Sequence, residues 1–201
     1  MKFSRVATAL ICVVALALGI VVLVTVTQTD SRAHQANLNR YADTVCRGLA
    51  APAAAYRSMP GHGKDDSLKA WYTRYFATLG RTVHETLSAM DKLGKVSDPV
   101  AATDQELRRF FGTAQLAAAD GGKGVAGLDP DDPAFDARID KLTGGPIAPE
   151  RFNDLLDRAR KTPQLSKAMV VAPSCEPATQ DMKLVQQRKM LDLLFGDNTP
   201  T

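Results

Sequence analysis

The sequence predicts an all-α protein: an N-terminal single transmembrane helix followed by an extracytoplasmic helical bundle of about five to six helices, held by one disulfide. Three observations carry this expectation. Val6–Val26 is a run of twenty-one residues without a charge, a proline or a strongly polar side chain. At about 1.5 Å per residue it reaches roughly 32 Å, enough to cross a hydrocarbon core of about 30 Å. After it, apolar residues recur at helical spacing, and the only strand-like stretch, Met169-Val170-Val171, is short and isolated. Finally, two of the three cysteines, Cys46 and Cys175, fall beyond the apolar run, on what would be the oxidising side of the membrane.

The apolar run competes with a cleaved signal peptide, since Lys2 and Arg5 form a positive n-region and Ala15-Leu16-Ala17 is a small-x-small triplet. Cleavage there would leave Leu18–Val26 as an apolar mature terminus, so an uncleaved anchor is the better reading. An acylated Cys12 is disfavoured because Ile11 precedes it and the cysteine sits in the middle of the run. Lys2 and Arg5 before the run, against Asp30 and one Arg32 behind it, put the amino terminus in the cytoplasm. The expected organisation is a short cytoplasmic region at 1–5, a membrane helix at 6–26, an extracytoplasmic helical domain at 27–196 and a frayed tail at 197–201. On the membrane helix, Thr8, Cys12, Ala15 and Gly19 recur at helical spacing; small side chains there suit docking against another helix.

From Thr27 to Met59 the stripe Leu38, Ala42, Val45, Leu49 and Tyr56 predicts a helix that Pro52 kinks and Pro60-Gly61-His62-Gly63 stops. Asp65, Asp66 and Ser67 offer caps for a helix from Ser67 to Leu93, with Leu68, Tyr72, Tyr75, Phe76, Leu79, Val83, Leu87 and Met90 inward and Gly94 as stop. Proline then marks four starts, at Pro99, Pro133, Pro149 and Pro163, where its missing N–H costs nothing. The first helix runs to about Ala119 and turns Val100, Leu107, Phe110, Phe111 and Ala114 inward; the glycine-rich join 120–127 comes next as a mobile loop. The next three bury Phe135, Ile139 and Leu142, then Phe152, Leu155, Leu156 and Ala159, then the stretch Pro163–Val170. A corner at Pro173–Pro177 leads to a last helix from Ala178 to Phe195, with Leu184, Val185, Arg188, Leu191 and Phe195 on one side.

Two of the three units of formal net charge come from Lys2 and Arg5, so the outer domain is nearly neutral, which argues against nucleic acid as a partner. A Cys46–Cys175 link would close a loop of about 129 residues and restrict the unfolded chain by roughly 4 to 5 kcal/mol. A redox-active pair lacks the Cys-x-x-Cys spacing.

Other motifs fail on a specific residue. His84-Glu85 opens a His-Glu-x-x-His zinc pattern, but position 88 is Ser, and His34 and His62 lie in other segments. Gly121-Gly122-Lys123-Gly124 lacks the Gly-Lys-Ser/Thr order of a phosphate loop. Asp129, Asp131, Asp132, Asp136 and Asp140 resemble a calcium loop in part, yet Pro133 and Ala134 stand where a ligand and a glycine are needed, and capping explains the carboxylates. No serine, threonine or cysteine stands in a nucleophile elbow. No catalytic residue, metal site or cofactor is therefore expected. Trp71, Tyr72 and Tyr75 form the candidate ligand groove, although core packing accounts for them better.

The alanine- and arginine-rich composition resembles that of a high-GC bacterial envelope protein, which implies the cytoplasmic membrane as location. The expected function is a non-enzymatic accessory or stabilising subunit whose anchor docks on an integral membrane protein; a homodimer is compatible with the same face. A binding or sensory module for a wall, lipid or peptide ligand is the alternative, and an unrecognised hydrolase the third. A cytoplasmic segment of about five residues leaves no room for an intracellular signalling domain, so any signal would pass through a partner.

Overall fold

A computed structural model of the chain describes residues 31–57, 68–96 and 98–195, with the helical backbone alone at 186 and 188–195. The chain divides into two units, Met1–Asn37 and Leu38–Thr201. In the first unit, residues 31–37 are helical and 31–36 are exposed. The expected membrane helix at 6–26, its face of Thr8, Cys12, Ala15 and Gly19, the caps Asp65, Asp66 and Ser67 and the tail 197–201 lie outside the described residues. Among the described residues no helix is long and apolar enough to cross a membrane.

Every regular element described in the second unit is a helix. It opens with α1 (38–49), which buries Leu38, Tyr41, Ala42, Val45, Cys46 and Leu49. Pro52 does more than kink this helix. With no N–H to offer the Gly48 carbonyl, it forces a turn at Ala50 and a new short helix, α2 (Ala51–Arg57), that buries Ala51, Pro52, Ala53 and Ala55. Tyr56, expected on the same stripe, is 39 % exposed because the break rotates the residues beyond it away from that stripe.

The framework is the antiparallel pair α3 (Leu68–Leu93) and α4 (Asp98–Ala126). α3 buries Tyr75, Phe76, Leu79, Val83 and Met90 as its periodicity requires, leaves Leu68 exposed, and stops at Gly94, whose φ of 75° favours glycine. It also buries Thr86, which donates its hydroxyl to the Thr82 carbonyl at 2.9 Å. The reason lies on α1: a Cβ on Gly48 would come within 2.5 Å of Thr86 Cγ2 and 2.8 Å of Phe111 Cζ, so bare backbone crosses α3 and α4 here. Tyr41 meets Asp104 and Gly48 meets Phe111, so α1 runs parallel to α4 and antiparallel to α3.

The expected mobile loop at 120–127 is instead the end of α4. Helix continues to Ala126, and Gly121 and Val125 are buried. A Cβ at Gly121 would fall 2.2 Å from Phe76 Cε1, and one at Gly124 would fall 2.8 Å from Leu142 Cδ2. These glycines let α3 and the helix carrying Leu142 come close; their helix-weakening entropy is offset by tertiary contact.

Two Asx turns, in which Asp129 accepts from the Asp131 N–H at 3.1 Å and Asp132 from the Ala134 N–H at 2.8 Å, then lead to α5 (Phe135–Thr143). A 3₁₀ turn (Gly145–Ile147) connects to α6 (Pro149–Lys161), α7 (Pro163–Val171) and α8 (Cys175–Phe195). Pro149 and Pro163 are the first helical residues of α6 and α7, as their sequence context predicts. α8 starts three residues earlier than expected, since Pro177 falls in its first turn where no N–H is needed. Its buried face is Cys175, Ala178, Met182 and Val185; Leu184, expected there, is 59 % exposed. The break at Pro52 and the short helices raise the α-helical segments of this unit to eight among the described residues, above the five to six expected.

Candidate functional site

The structure brings together three groups of chemically distinctive side chains. The first is the predicted cysteine pair. Cys46 and Cys175 form a disulfide with Cα atoms 4.9 Å apart and a sequence separation of 129, and both are buried. One turn earlier on α1, Asp43 accepts the Ser174 N–H at 2.9 Å and pairs with Arg47 at 3.2 Å. Asp43 thereby satisfies a free donor at the start of α8, so the covalent link and a charged cap act on the same junction. Burial on both sides suits a structural bond rather than an exchanging one.

The second group surrounds the candidate groove residues. Tyr56 of α2 stands edge-on to Trp71 and Tyr75, with ring centroids 5.7 and 5.4 Å away, and Trp71 meets Tyr72 edge-on at 4.5 Å. Only Tyr75 among the three predicted residues is a core side chain; Trp71 and Tyr72 are half-buried. Burial, followed by the neighbouring Tyr56, Tyr72 and Glu150, holds the Tyr75 phenol well above its usual pKa, so it stays neutral. Tyr56, absent from the predicted set, completes a partly exposed aromatic surface.

The third group lies outside every expectation from sequence. Buried Tyr41 donates its hydroxyl to Asp104 at 2.7 Å, and Asp104 accepts twice from Arg108 Nε, at 2.9 Å to each oxygen. Arg108 also pairs with Asp91 and donates to the Met90 and Gly94 carbonyls, at 2.9 and 3.4 Å. One guanidinium of α4 thus caps the end of α3 and holds the Asp104 carboxylate that accepts from Tyr41 of α1. Burial and then the Asp104 contact raise the Tyr41 pKa; around Arg108, burial opposes the charge but Asp104 and Asp91 more than offset it. The Asp104–Arg108 spacing of four residues is a visible signal, but its link to Tyr41 spans 63 residues and has no local signature.

Among the described residues, the remaining motif side chains do not assemble into a site. His84 shares a hydrogen bond with Gln115 at 3.2 Å, and Glu85 pairs with Arg81 at 3.6 Å. Asp132 also holds Arg138 at 3.2 Å, which together with the Asx turns accounts for the acidic run as turn and helix-start chemistry. Among the described residues no three His, Cys, Asp or Glu side chains are grouped to hold a metal ion. No protein-family model, curated protein or solved structure matches the chain.

Proposed function

We propose that this protein is a non-enzymatic accessory subunit of the bacterial cell envelope: a single-pass anchor at Val6–Val26 docks on an integral membrane protein and holds the helical unit outside the cytoplasm. The observation that carries the reading is the pairing of an uninterrupted apolar run with a disulfide beyond it, Cys46–Cys175. Span-length apolarity favours insertion, and a buried disulfide is the chemistry of an oxidising compartment. The long disulfide loop and the Tyr41–Asp104–Arg108 tie favour a rigid structural unit rather than one that changes shape. The docking face is Thr8, Cys12, Ala15 and Gly19, whose small side chains permit close helix approach.

The test is purification of full-length protein in a mild detergent, with mass spectrometry of what co-elutes. A stoichiometric membrane partner that is lost on Ala15→Leu or Gly19→Leu is the expected result. A solitary protein, or a partner indifferent to both substitutions, refutes the docking role. The surface of exposed Tyr56 and half-buried Trp71 and Tyr72 favours a second reading, a module that stacks a sugar ring or an apolar ligand. Under that reading Trp71 fluorescence shifts on addition of wall fragments or lipids, and Trp71→Ala abolishes the response.

A further inference from the structure

We propose that the end of the helical unit where α1 begins is a docking surface for an anionic lipid bilayer. The proposal rests on the anchor reading of Val6–Val26 and deepens it by assigning the face that meets the membrane.

Side-chain contacts locate that end. Tyr41, four residues into the unit, meets Asp104 near the start of α4, and Arg108, which holds Asp104, donates to the Met90 carbonyl near the end of α3. Thr103 of α4 meets Thr162, the residue after α6, at 2.9 Å. The starts of α1 and α4 and the ends of α3 and α6 therefore share one end of the unit. α7 crosses the same end: Thr162 precedes it, and Ser174, three residues past its last turn, donates its N–H to Asp43. Thr103 lies within two turns of the start of α4, and Asp43 within two turns of Leu38, the first residue of the unit.

This end is basic. Lys92 and Lys95 flank the turn after α3, Lys161 ends α6, and Lys167 lies on α7; all four are exposed, and none has an ion-pair partner among the described residues. Most acids nearby are already engaged, Asp91 and Asp104 by Arg108 and Glu106 by Arg158. Asp98 and Asp157 are exposed. Beside Lys167, α7 exposes Val170 and Val171, 84 % and 62 % accessible. The opposite end carries exposed Asp129, Asp131 and Asp136. Near-neutral net charge thus conceals a basic pole and an acidic pole.

Chain length and chemistry together select a bilayer as the occupant. Only eleven residues, 27–37, separate Val26 from Leu38, a reach of at most about 40 Å even when fully extended. Lysines within about 8 to 10 Å of anionic headgroups feel their attraction, and exposed valines among them suit the interfacial layer. The acidic pole would be held away from the same surface by repulsion.

The test uses the full-length protein with Cys12→Ala, so that an added thiol is the only free one. A fluorophore is placed on Ala101→Cys, at the start of α4, or on Asp131→Cys, at the far end. Each protein is reconstituted in nanodiscs of phosphatidylcholine with or without phosphatidylglycerol, with quencher on the lipid headgroups. Carbonate-resistant flotation with liposomes reports the anchor separately. In anionic discs the probe at 101 is quenched more strongly than the probe at 131. The difference collapses in neutral discs, in ~0.5 M salt, and in the triple variant Lys92→Glu, Lys95→Glu, Lys161→Glu. Each cation removed lowers the ratio of docked to undocked protein about fivefold. A melting temperature shared by the variant and the parent shows that the fold is intact. Retained flotation with quenching indifferent to lipid charge, salt and the triple variant overturns the docking surface while leaving the anchor standing. Loss of flotation in the parent protein overturns the anchor and the docking surface with it.

Discussion

Replacing Gly121 with alanine tests whether close helix approach explains the glycines in α4. In an open helix interior the change stabilises by about 1 kcal/mol, because alanine has less backbone freedom to lose. Gly112 offers that reference, since a Cβ there meets nothing within 4 Å. At Gly121 the new Cβ would lie 2.2, 2.5 and 2.7 Å from three atoms of the Phe76 ring. Phe76 is 1 % exposed and stands edge-on against Tyr75 at 5.4 Å, so a rigid ring has no open space to move into. Overpacking of this kind costs about 1 to 3 kcal/mol, which cancels or outweighs the alanine preference and leaves a net loss of up to about 2 kcal/mol. Gly112→Ala should therefore melt above Gly121→Ala, by roughly 2 to 12 °C for a protein of this size. Thermal melts followed by circular dichroism on the full-length protein in detergent read this directly. Phe76→Leu, which shortens the ring away, should largely remove the difference. If Gly121→Ala raises the melting temperature as Gly112→Ala does, the account of α4 fails.

Removal of the disulfide by Cys46→Ser with Cys175→Ser should lower stability by about 4 to 5 kcal/mol, with the intact bond read as two missing free thiols by mass spectrometry after alkylation. Tyr41→Phe should cost about 0.5 to 1.5 kcal/mol and Arg108→Met more, about 3 kcal/mol, because the latter leaves Asp104 charged and half-buried without its partner; urea denaturation measures both. The Tyr41 and Tyr75 phenols have raised folded pKa values, so the neutral form is favoured on folding. Their contribution is whole below the unfolded phenol value of about 10 and is lost as pH rises from there towards the folded values, at about 1.4 kcal/mol per pH unit for each phenol. Tyr75→Phe should make the alkaline fall in stability shallower, as followed by denaturant midpoints between pH 9 and about 11.5.

Local pattern carries much of this fold. α3 is legible because apolar residues at helical spacing mark one face whatever packs on it, and Gly94 stops it by the positive φ that only glycine adopts without strain. Pro149 and Pro163 place two helix starts for the same reason of backbone chemistry. Expectation and structure part where a neighbour decides. The glycine-rich composition of 120–127 reads locally as a loop, yet Phe76 and Leu142 turn Gly121 and Gly124 into packing contacts. Leu184 and Val185 are adjacent and equally apolar, and only the position of α8, set by Cys175 at its start, buries the second and exposes the first. Of the aromatic candidates, Tyr75 is core and Trp71 and Tyr72 are half-buried, a division that depends on Tyr56 arriving from α2.

The sequence by itself determined the helical class, the position of most helices and the pair of cysteines that bond, because these follow from periodicity, from the backbone limits of proline and glycine, and from there being two thiols beyond the apolar run. Only the tertiary structure decided that Tyr41 reaches Asp104 across 63 residues, that Gly48 and Gly121 are crossing points, and that lysines from three separated segments share one end of the unit. Such contacts depend on how helices cross, and a crossing is chosen by the summed shape of both surfaces rather than by any residue's local preference.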